Sequence, residues 1–202
     1  MIAVIDYGVG NLFSLKSSLQ SIGEDAAVSR DPDVIRAADH VILPGVGAFG
    51  DAARKLQETG MTEVVKEIAA SGTPVLGICV GMQLLFDESL EFGRHEGLGL
   101  IPGTVDAIEP RIPAELDVPH MGWNRLDIKT DSPLFAGIPE PVFVYFVHSY
   151  AAFGCDPYVI AETEYGIPLT AAVTRENVYG TQFHPEKSGS TGLRILKNFC
   201  RL

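Results

Sequence analysis

Short apolar runs alternate with amphipathic stretches through the first half of the chain. Four runs are apolar and rich in β-branched residues, which is typical of buried strands: residues 2–6, 26–30, 40–45 and 73–78. Four stretches carry helical spacing or helix-start signals: residues 12–22, 31–38, 49–70 (broken near Gly60) and 80–91. Buried strands that alternate with helices predict an α/β fold, with a parallel sheet covered by helices on both faces.

The second half of the chain has a different pattern. Six segments separated by short turns have the composition of strands: residues 103–109, 121–129, 142–150, 158–164, 169–175 and 178–183. We expect them to form antiparallel strands that extend or flank the parallel sheet. A final amphipathic stretch, residues 190–201, predicts a helix at the end of the chain.

Composition narrows the class of protein. The 202 residues are 46% hydrophobic and 20% charged, which predicts one well-packed domain over residues 1–202. The net charge of −11 argues against nucleic acid and against an anionic membrane surface, because both select a cationic face. The three cysteines form no CxxC motif and no histidine pair has ligand spacing, so we expect no metal and no cofactor. This cysteine usage and the lack of a signal peptide favour a cytoplasmic protein.

A nucleophile-elbow pattern follows the fourth predicted strand. Gly77-Ile78-Cys79-Val80-Gly81 has the form G-x-nucleophile-x-G, with cysteine in place of serine. At such a turn the nucleophile points away from the sheet, and the two glycines avoid collisions. The helix that follows favours the thiolate, and the Val80 N–H is available to an oxyanion. The alternative is a structural cysteine with glycines for close packing.

A second candidate group, Gln182-Phe183-His184-Pro185-Glu186, stands at the end of the last predicted strand. His184 can act as the general base for a thiol, and Pro185 favours an extended conformation at His184. Residues two apart on an extended chain project to the same side, so Glu186 is expected to orient the imidazole. The alternative is a loop histidine beside an exposed glutamate. Sites in α/β sheets form at the carboxyl ends of strands, so both groups together predict a Cys–His–Glu triad.

Two glycine-containing loops are further candidates for a functional role. Residues 44–49, Pro-Gly-Val-Gly-Ala-Phe, follow the third predicted strand and can supply a second oxyanion N–H, but they lack the spacing of a phosphate-binding loop. Residues 8–13 begin like a dinucleotide fingerprint, but Phe13 stands where the third glycine belongs, so NAD binding is set aside. His120 and His148 lie in aromatic-rich segments and are expected near the cleft.

These motifs resemble those of the class I, triad-type glutamine amidotransferases, marked by GICVGMQLLF and FHPE. Within that class the chain is similar to the glutaminase subunits of imidazole glycerol phosphate synthase. The matching motifs are DYGVGN at 6–11, PGVGAF at 44–49, HMGWN at 120–124, YFVHSY at 145–150 and FHPEKS at 183–188. They occur in the same order and cover essentially the whole chain. The resemblance implies a three-layer, flavodoxin-like fold, with a central mostly parallel sheet, helices on both faces and added antiparallel strands in the C-terminal half.

The resemblance also implies a role for each matched position. Cys79 is the implied nucleophile, His184 the base and Glu186 its orienting partner. The implied oxyanion hole consists of the Val80 N–H and an N–H of the Val46–Gly47 peptide, and the resemblance implies that this peptide flips before its N–H faces the site. The implied glutamine-binding residues are Gln83 and Glu91, both expected on the elbow helix, and the backbone at Ser149 and Tyr150. The implied partner interface contains Asn11, Asn124, Tyr145 and Lys187.

The implied activity is hydrolysis of L-glutamine to glutamate and ammonia. The ammonia passes to a cyclase subunit, a (β/α)8 barrel, which makes imidazole glycerol phosphate and an aminoimidazole carboxamide ribonucleotide in histidine biosynthesis. The implied assembly is a heterodimer with this cyclase. One departure from the family pattern is Gly189, where the family usually places glutamine, at the expected interface.

Three alternative functions differ from this one in what they require of the sequence or the activity. Another amidotransferase subunit, such as those of vitamin B6 or anthranilate synthesis, should lack HMGWN and YFVHSY. A stand-alone cysteine hydrolase of the same fold would turn over glutamine or a peptide without a partner. An interaction protein that had lost its activity would have no reason to keep Cys79, His184 and Glu186 together.

Overall fold

The computed structural model describes residues 1–202. The strands are β1 (Ile2–Ile5), β2 (Ala26–Ser29), β3 (His40–Leu43), β4 (Val75–Ile78), β5 (Glu88–Ser89), β6 (His95–Glu96), β7 (Thr104–Ala107), β8 (His120–Ile128), β9 (Phe143–His148), β10 (Tyr150–Phe153), β11 (Val159–Glu164), β12 (Pro168–Arg175) and β13 (Val178–Thr181). The α-helices are α1 (Leu12–Ser21), α2 (Pro32–Arg36), α3 (Phe49–Glu58), α4 (Met61–Ser71), α5 (Val80–Gln83) and α6 (Gly189–Phe199). Short 3₁₀ turns cover Pro133–Phe135, Asp156–Tyr158 and Pro185–Lys187.

A nine-stranded sheet forms the centre of the molecule, in the order β2-β1-β3-β4-β13-β12-β11-β8-β9. The pairs from β2 through β13 are parallel, and the pairs from β13 to β9 are antiparallel. The five parallel strands follow the flavodoxin-like order, in which the chain reverses direction across the sheet between β1 and β3. Sites form where strand order reverses, so this topology already points to the carboxyl ends of β1 and β3.

The helices cover both faces of the parallel strands. The chain crosses the sheet in one direction from β1 to β2, and in the other direction from β2 through β3 to β4. Because such crossovers are right-handed, α1 lies on one face of the sheet and α2, α3 and α4 lie on the other. In agreement, α1 packs against α6, whereas α4 packs against α2 and α3. Every residue of β1 and β4 is buried, as expected for strands covered on both sides. None of the helices has both the length and the apolar character needed to cross a membrane.

The direction of β13 differs from the sequence-based expectation for this half of the chain. β13 pairs antiparallel with β12 but parallel with β4, where Gly180 lies opposite Gly77 and Thr181 opposite Ile78. A tight turn at Glu176, which has a φ of +54°, reverses the chain between β12 and β13. Because of this reversal, β13 completes the parallel sheet and ends beside the end of β4.

The predicted elbow helix over residues 80–91 is wrong in its length, because α5 ends at Gln83. The carbonyls of Leu84, Leu85 and Phe86 accept hydrogen bonds from N–H groups of residues 98–101 instead of from a further helical turn. Gly97 allows this close approach, since a Cβ there would lie 2.1 Å from the Phe86 oxygen. The chain then leaves the helix and forms β5, so Glu91 follows a strand and does not lie on the elbow helix as expected.

A second, four-stranded sheet in the order β10-β7-β5-β6 was not anticipated as a separate sheet. The single strand predicted over residues 142–150 is divided at Ser149 into β9 and β10. β9 forms the edge of the large sheet, whereas β10 pairs with β7 in the small one. The residues at this change of sheet, His148 to Tyr150, lie at the wall of the cavity described below.

Candidate active site

Cys79 lies at the turn between β4 and α5, with φ +55° and ψ −113°. This is a conformation that residues other than glycine rarely adopt. The flanking glycines are required by close packing: a Cβ on Gly81 would lie 1.9 Å from the Leu43 oxygen, and one on Gly77 2.6 Å from the Gly81 oxygen. The Cys79 N–H donates to the Thr181 carbonyl at 2.8 Å, which ties the elbow to β13. The local geometry is that of a nucleophile elbow.

The loop after β3 lies directly on this elbow. A Cβ on Gly45 would come within 2.4 Å of the Gly81 nitrogen, so only glycine fits between loop and helix. The buried Tyr7 hydroxyl donates to the Pro44 carbonyl at 2.7 Å and holds the loop from the other side. Gly47 has a φ of +86°, and Val46 is partly exposed. The Val80 N–H is the first of α5 and has no acceptor within the helix.

His184 approaches from the end of β13 and is paired with Glu186. The His184 N–H donates to the Tyr145 carbonyl at 2.9 Å, and its φ of −97° and ψ of 98° are extended, as the following proline predicts. The His184 Nδ1 and the Glu186 Oε1 are 2.8 Å apart, and both side chains are almost fully buried. Glu186 is not on an extended strand as expected. The 3₁₀ turn Pro185–Lys187 carries it, and this turn brings the carboxylate to the ring.

The electrostatics favour a charged imidazole beside the sulfur. Burial by itself lowers the pKa of His184, but hydrogen bonds with the Cys79 sulfur and the Glu186 carboxylate raise it to about 9. The imidazolium is therefore the favoured form at neutral pH, and it places a positive charge beside the Cys79 sulfur. Since the second oxygen of Glu186 is buried without a hydrogen bond, the histidine is the only polar group that this carboxylate's side-chain oxygens contact.

A cavity of about 450 Å³ opens at this point. Its lining residues are Val46, Gly47, Cys79, Val80, Gln83, Glu91, Phe92, Pro119, Val147, His148, Ser149, Tyr150, His184 and Lys187. The structure thus brings together two of the three residues expected in the triad, Cys79 and His184, and all of the residues expected in the oxyanion hole and in glutamine binding. Glu186 lies behind His184, outside this lining.

The polar wall of the cavity is fixed by hydrogen bonds. The Phe49 N–H, at the start of α3, donates to Glu91 Oε2 at 2.6 Å, which holds this buried carboxylate at a helix N-terminus. Gln83 Nε2 donates to the Tyr150 carbonyl at 3.1 Å and to Gln182 Oε1 at 3.0 Å. The other oxygen of Glu91 and the Gln83 Oε1 make no hydrogen bond within the chain, so they are free to accept from a ligand.

Two of the four expected interface residues lie together. The Lys187 Nζ is 5.9 Å from the centre of the Tyr145 ring, and Tyr145 stands opposite Trp123 across β8 and β9. Asn124 alternates to the other face of β8 and donates to the Glu164 carbonyl at 2.9 Å. Asn11 accepts from the Ser14 N–H and caps α1. The structure therefore does not place Asn11 and Asn124 with the other two.

The sequence motifs predict no role for several residues that lie near the cavity. Gln182 is fully buried with its Nε2 3.7 Å from the Cys79 sulfur, and Phe92 is 84% exposed at the cavity wall with a φ of +54°. Gln182 could have been found, since it lies two residues before His184 at the end of the predicted strand, where residues two apart share a side. Phe92 carries no sequence signal for its position. His148 lines the cavity as expected, but His120 is buried behind it.

The order of the sheet and the pairing of an elbow cysteine with a strand-end histidine are features of the class I amidotransferases, and the family model for glutamine amidotransferase class-I matches residues 3–202. Curated proteins named imidazole glycerol phosphate synthase subunit HisH match at full length. The relative from Sulfurimonas denitrificans is 52% identical, covering 100% of this chain and 98% of its own. The relative from Rhodospirillum rubrum is 53% identical, covering 99% and 98%. The chain belongs to the HisH family.

Solved structures of other proteins have a fold similar to that of this chain. A crystal structure described as glutamine amidotransferase superposes with a TM-score of 0.77 at 18% identity, covering 100% of this chain and 98% of that chain. The structure of PurLQS from Thermotoga maritima gives a TM-score of 0.74 at 18% identity, covering 99% and 97%. At this identity the likeness concerns the fold alone, and it confirms the predicted three-layer α/β class.

Proposed function

We propose that this chain, acting as one domain, hydrolyses L-glutamine through Cys79, His184 and Glu186 and passes the ammonia to a cyclase partner. The partner would use it to make imidazole glycerol phosphate and an aminoimidazole carboxamide ribonucleotide in histidine biosynthesis. The observation that carries the proposal is the buried His184–Glu186 pair, 2.8 Å apart, beside an elbow cysteine in a chain about half identical to HisH proteins over its full length. The three cysteines are unpaired, which supports a reducing cytoplasm as the compartment.

Acylation begins from a Cys79 thiolate beside a protonated His184. The Cys79 thiolate attacks the side-chain amide carbon of glutamine, and the carbonyl oxygen becomes an oxyanion. The Val80 N–H and the Val46–Gly47 peptide are the groups that would bind this oxygen, and each such donor contributes about 3 kcal/mol in well-studied hydrolases. His184 then gives its proton to the departing nitrogen, the C–N bond breaks, and ammonia leaves a glutamyl thioester on Cys79.

Deacylation uses the same groups in reverse. Neutral His184 takes a proton from water, and the resulting hydroxide adds to the thioester carbon. The second tetrahedral intermediate breaks its C–S bond, which releases glutamate and restores the thiolate–imidazolium pair, while the new carboxyl group loses its proton to solvent. Glu186 stabilises the imidazolium in both steps by its hydrogen bond to Nδ1.

Glutamine binding requires an acceptor for its ammonium group and donors for its carboxylate. Glu91 suits the ammonium, because its carboxylate faces the cavity and keeps one oxygen free. Gln83 suits a second acceptor contact through its free Oε1. The backbone at Ser149 and Tyr150 also lines the cavity, where N–H groups can bind the carboxylate.

The partner is proposed to dock on the apolar edge of the large sheet next to the cavity. Met121 on β8 is 60% exposed, Trp123 54% and Phe143 on β9 45%. The register of β8 and β9 places them on one face with Tyr145, beside Lys187. Exposed apolar residues clustered in this way are typical of protein interfaces.

The first test measures ammonia release from glutamine by the wild-type chain and by Cys79→Ser, alone and with a cyclase subunit carrying its substrate. We expect the wild-type chain to release very little ammonia alone and at least tenfold more with the loaded partner. Cys79→Ser should lose at least 1,000-fold in the coupled reaction, roughly the effect of losing a covalent nucleophile, with unchanged thermal unfolding. Equal wild-type activity with and without partner would indicate a stand-alone hydrolase, and an active serine variant would exclude Cys79 as the nucleophile.

A further inference from the structure

A buried hydrogen-bond network connects the Cys79 sulfur to the wall behind the cavity. Gln182 Nε2 lies 3.7 Å from the sulfur, and its Oε1 lies 3.0 Å from Gln83 Nε2. Gln83 Nε2 also contacts the Tyr150 carbonyl at 3.1 Å, and His148 Nδ1 contacts that same oxygen at 2.8 Å. Gln182 is fully buried and Gln83 nearly so.

The Tyr150 carbonyl determines the direction of every bond in this network. A carbonyl oxygen can only accept, so Gln83 must present its NH₂ group there, and the same group donates to Gln182. Gln182 therefore accepts through Oε1, and its own NH₂ group faces the sulfur. By the same reasoning His148 carries its proton on Nδ1, so its Nε2 accepts from His120 Nδ1 at 3.0 Å. The orientation of Gln182 is thus fixed by groups on three other segments of the chain.

We propose that Gln182 is a catalytic residue of the glutaminase reaction, whose amide N–H donates to the Cys79 sulfur and stabilises the thiolate before it attacks. Gln83 and the Tyr150 carbonyl act through it as positioning groups. The sulfur is largely removed from water, since Cys79 is 5% exposed, so protein donors must replace the solvent that would stabilise its charge. The inference rests on the proposed role of Cys79 as nucleophile.

Other groups near the sulfur act differently from Gln182. The titratable groups that face the sulfur or its cavity are His184, Tyr7, His148, Tyr150, Glu91 and Lys187, with Glu186 behind His184. The Tyr7 hydroxyl is used on Pro44, and burial keeps His148 neutral by lowering its pKa to about 3. Gln182 does not titrate, so its removal should move the titration of the sulfur without adding a new ionisation.

The test follows the alkylation of Cys79 by iodoacetamide from pH 5 to 10 in the full chain, with the Cys79 peptide quantified by mass spectrometry. In Gln182→Met, which keeps the length but removes the donor, the apparent pKa of the sulfur should rise by about 1 unit, equivalent to about 1.4 kcal/mol. Gln182→Glu should raise the apparent pKa of the sulfur further, because a carboxylate there would repel the negatively charged thiolate. Gln57→Met, at an exposed position on α3, is the matched control and should match the wild type.

Gln83→Met tests the positioning role separately, because it leaves Gln182 in place but removes the donor that fixes its amide. It should shift the apparent pKa in the same direction by about half as much. A folded Gln182→Met protein with the wild-type pKa would overturn the inference; should that variant not fold, the same criterion applies to Gln182→Glu and Gln83→Met. Wild-type Cys79 that reacts no faster than Cys155 and Cys200 would instead remove the proposed nucleophile, and this inference with it.

Discussion

Cys79, the proposed nucleophile, has a strained backbone conformation. Its φ of +55° and ψ of −113° suit glycine, yet the proposed chemistry needs a sulfur at the top of this turn. The Cys79 N–H bond to Thr181 and the packing of Gly81 on Leu43 hold this conformation from two sides. The surrounding structure thus maintains a strained turn that aims the proposed nucleophile.

A pair of substitutions measures this strain. Cys79→Gly and Cys79→Ala both remove the thiol and both should abolish ammonia release, but only glycine relaxes the backbone. We expect the glycine variant to be more stable than the alanine variant by about 1 kcal/mol, the balance of relieved strain and the greater freedom of unfolded glycine. Urea unfolding of both variants gives the difference. Equal stability, or a more stable alanine variant, would mean that the turn is unstrained.

At the scale of elements, the site depends on where β3, β4 and β13 end. The loop after β3 lies against the first turn of α5 with no room for a side chain at Gly45 or Gly81. β13 delivers His184 to the elbow because it pairs with β4 in parallel. Small changes at these contacts should therefore affect both stability and catalysis.

Gly81→Ala tests the contact between β3 and α5. The added Cβ would lie 1.9 Å from the Leu43 oxygen, and both partners are backbone, so the helix must move. We expect a loss of unfolding free energy of about 3 kcal/mol or more, with loss of ammonia release. Gly60→Ala is the matched control, because it has a φ of +74° and open space, and should cost about 1 kcal/mol. Similar costs for both variants would contradict the packing argument.

The cross-strand pair of His120 on β8 and His148 on β9 predicts acid sensitivity. Burial lowers the pKa of His120 to about 4, with a smaller opposing effect of Asn124, and that of His148 to about 3. Both histidines titrate at about 6.5 when unfolded, so the unfolded chain binds more protons between pH 6.5 and pH 4. Stability contributed by the neutral pair is therefore complete above pH 6.5 and falls as the pH is lowered.

His120→Phe tests this prediction while keeping an aromatic ring between Phe146 and Tyr165. The unfolding free energy should be lower overall, because His148 Nε2 loses its donor. Its dependence on pH between 6.5 and 5 should fall by about half, because one of the two histidines no longer takes up a proton on unfolding. Urea unfolding at several pH values gives the slope, and an unchanged slope would show that His120 does not contribute.

At the scale of the whole molecule, the cavity and the proposed docking face adjoin at the edge of the large sheet. β9 is the last strand of that sheet, and the exposed Met121, Trp123 and Phe143 lie on β8 and β9. Lys187 belongs to both places, since it lines the cavity and lies over Tyr145. A partner seated there would contact the turn that carries Glu186, which offers a direct route from docking to the triad.

Lys187→Ala tests this connection in the assembled pair of subunits. We expect partner-stimulated ammonia release to fall about tenfold, the typical effect of losing about 1.4 kcal/mol of interaction at an interface, with unchanged thermal unfolding of the free chain. Lys66→Ala, on α4 and outside the cavity lining, is the matched control. Stimulation equal to that of the wild type would remove Lys187 from the proposed interface.

The sequence by itself determined the features that depend on neighbouring residues. The apolar periodicity predicted the parallel strands and their helices, and the glycines around Cys79 predicted the elbow, because both requirements are local. The short separation of His184 and Glu186 likewise predicted their contact, although a 3₁₀ turn rather than an extended strand provides it.

Only the tertiary structure decided the features that depend on hydrogen-bond partners far apart in the sequence. The elbow helix ends at Gln83 because residues 98–101 bond its next carbonyls, and no local pattern contains that competition. β13 joins β4 in parallel because the turn at Glu176 reverses the chain, and this pairing brings His184 and Gln182 to Cys79. The direction of the bonds from Tyr150 to the sulfur follows from one backbone carbonyl, whose role arises only when four segments meet.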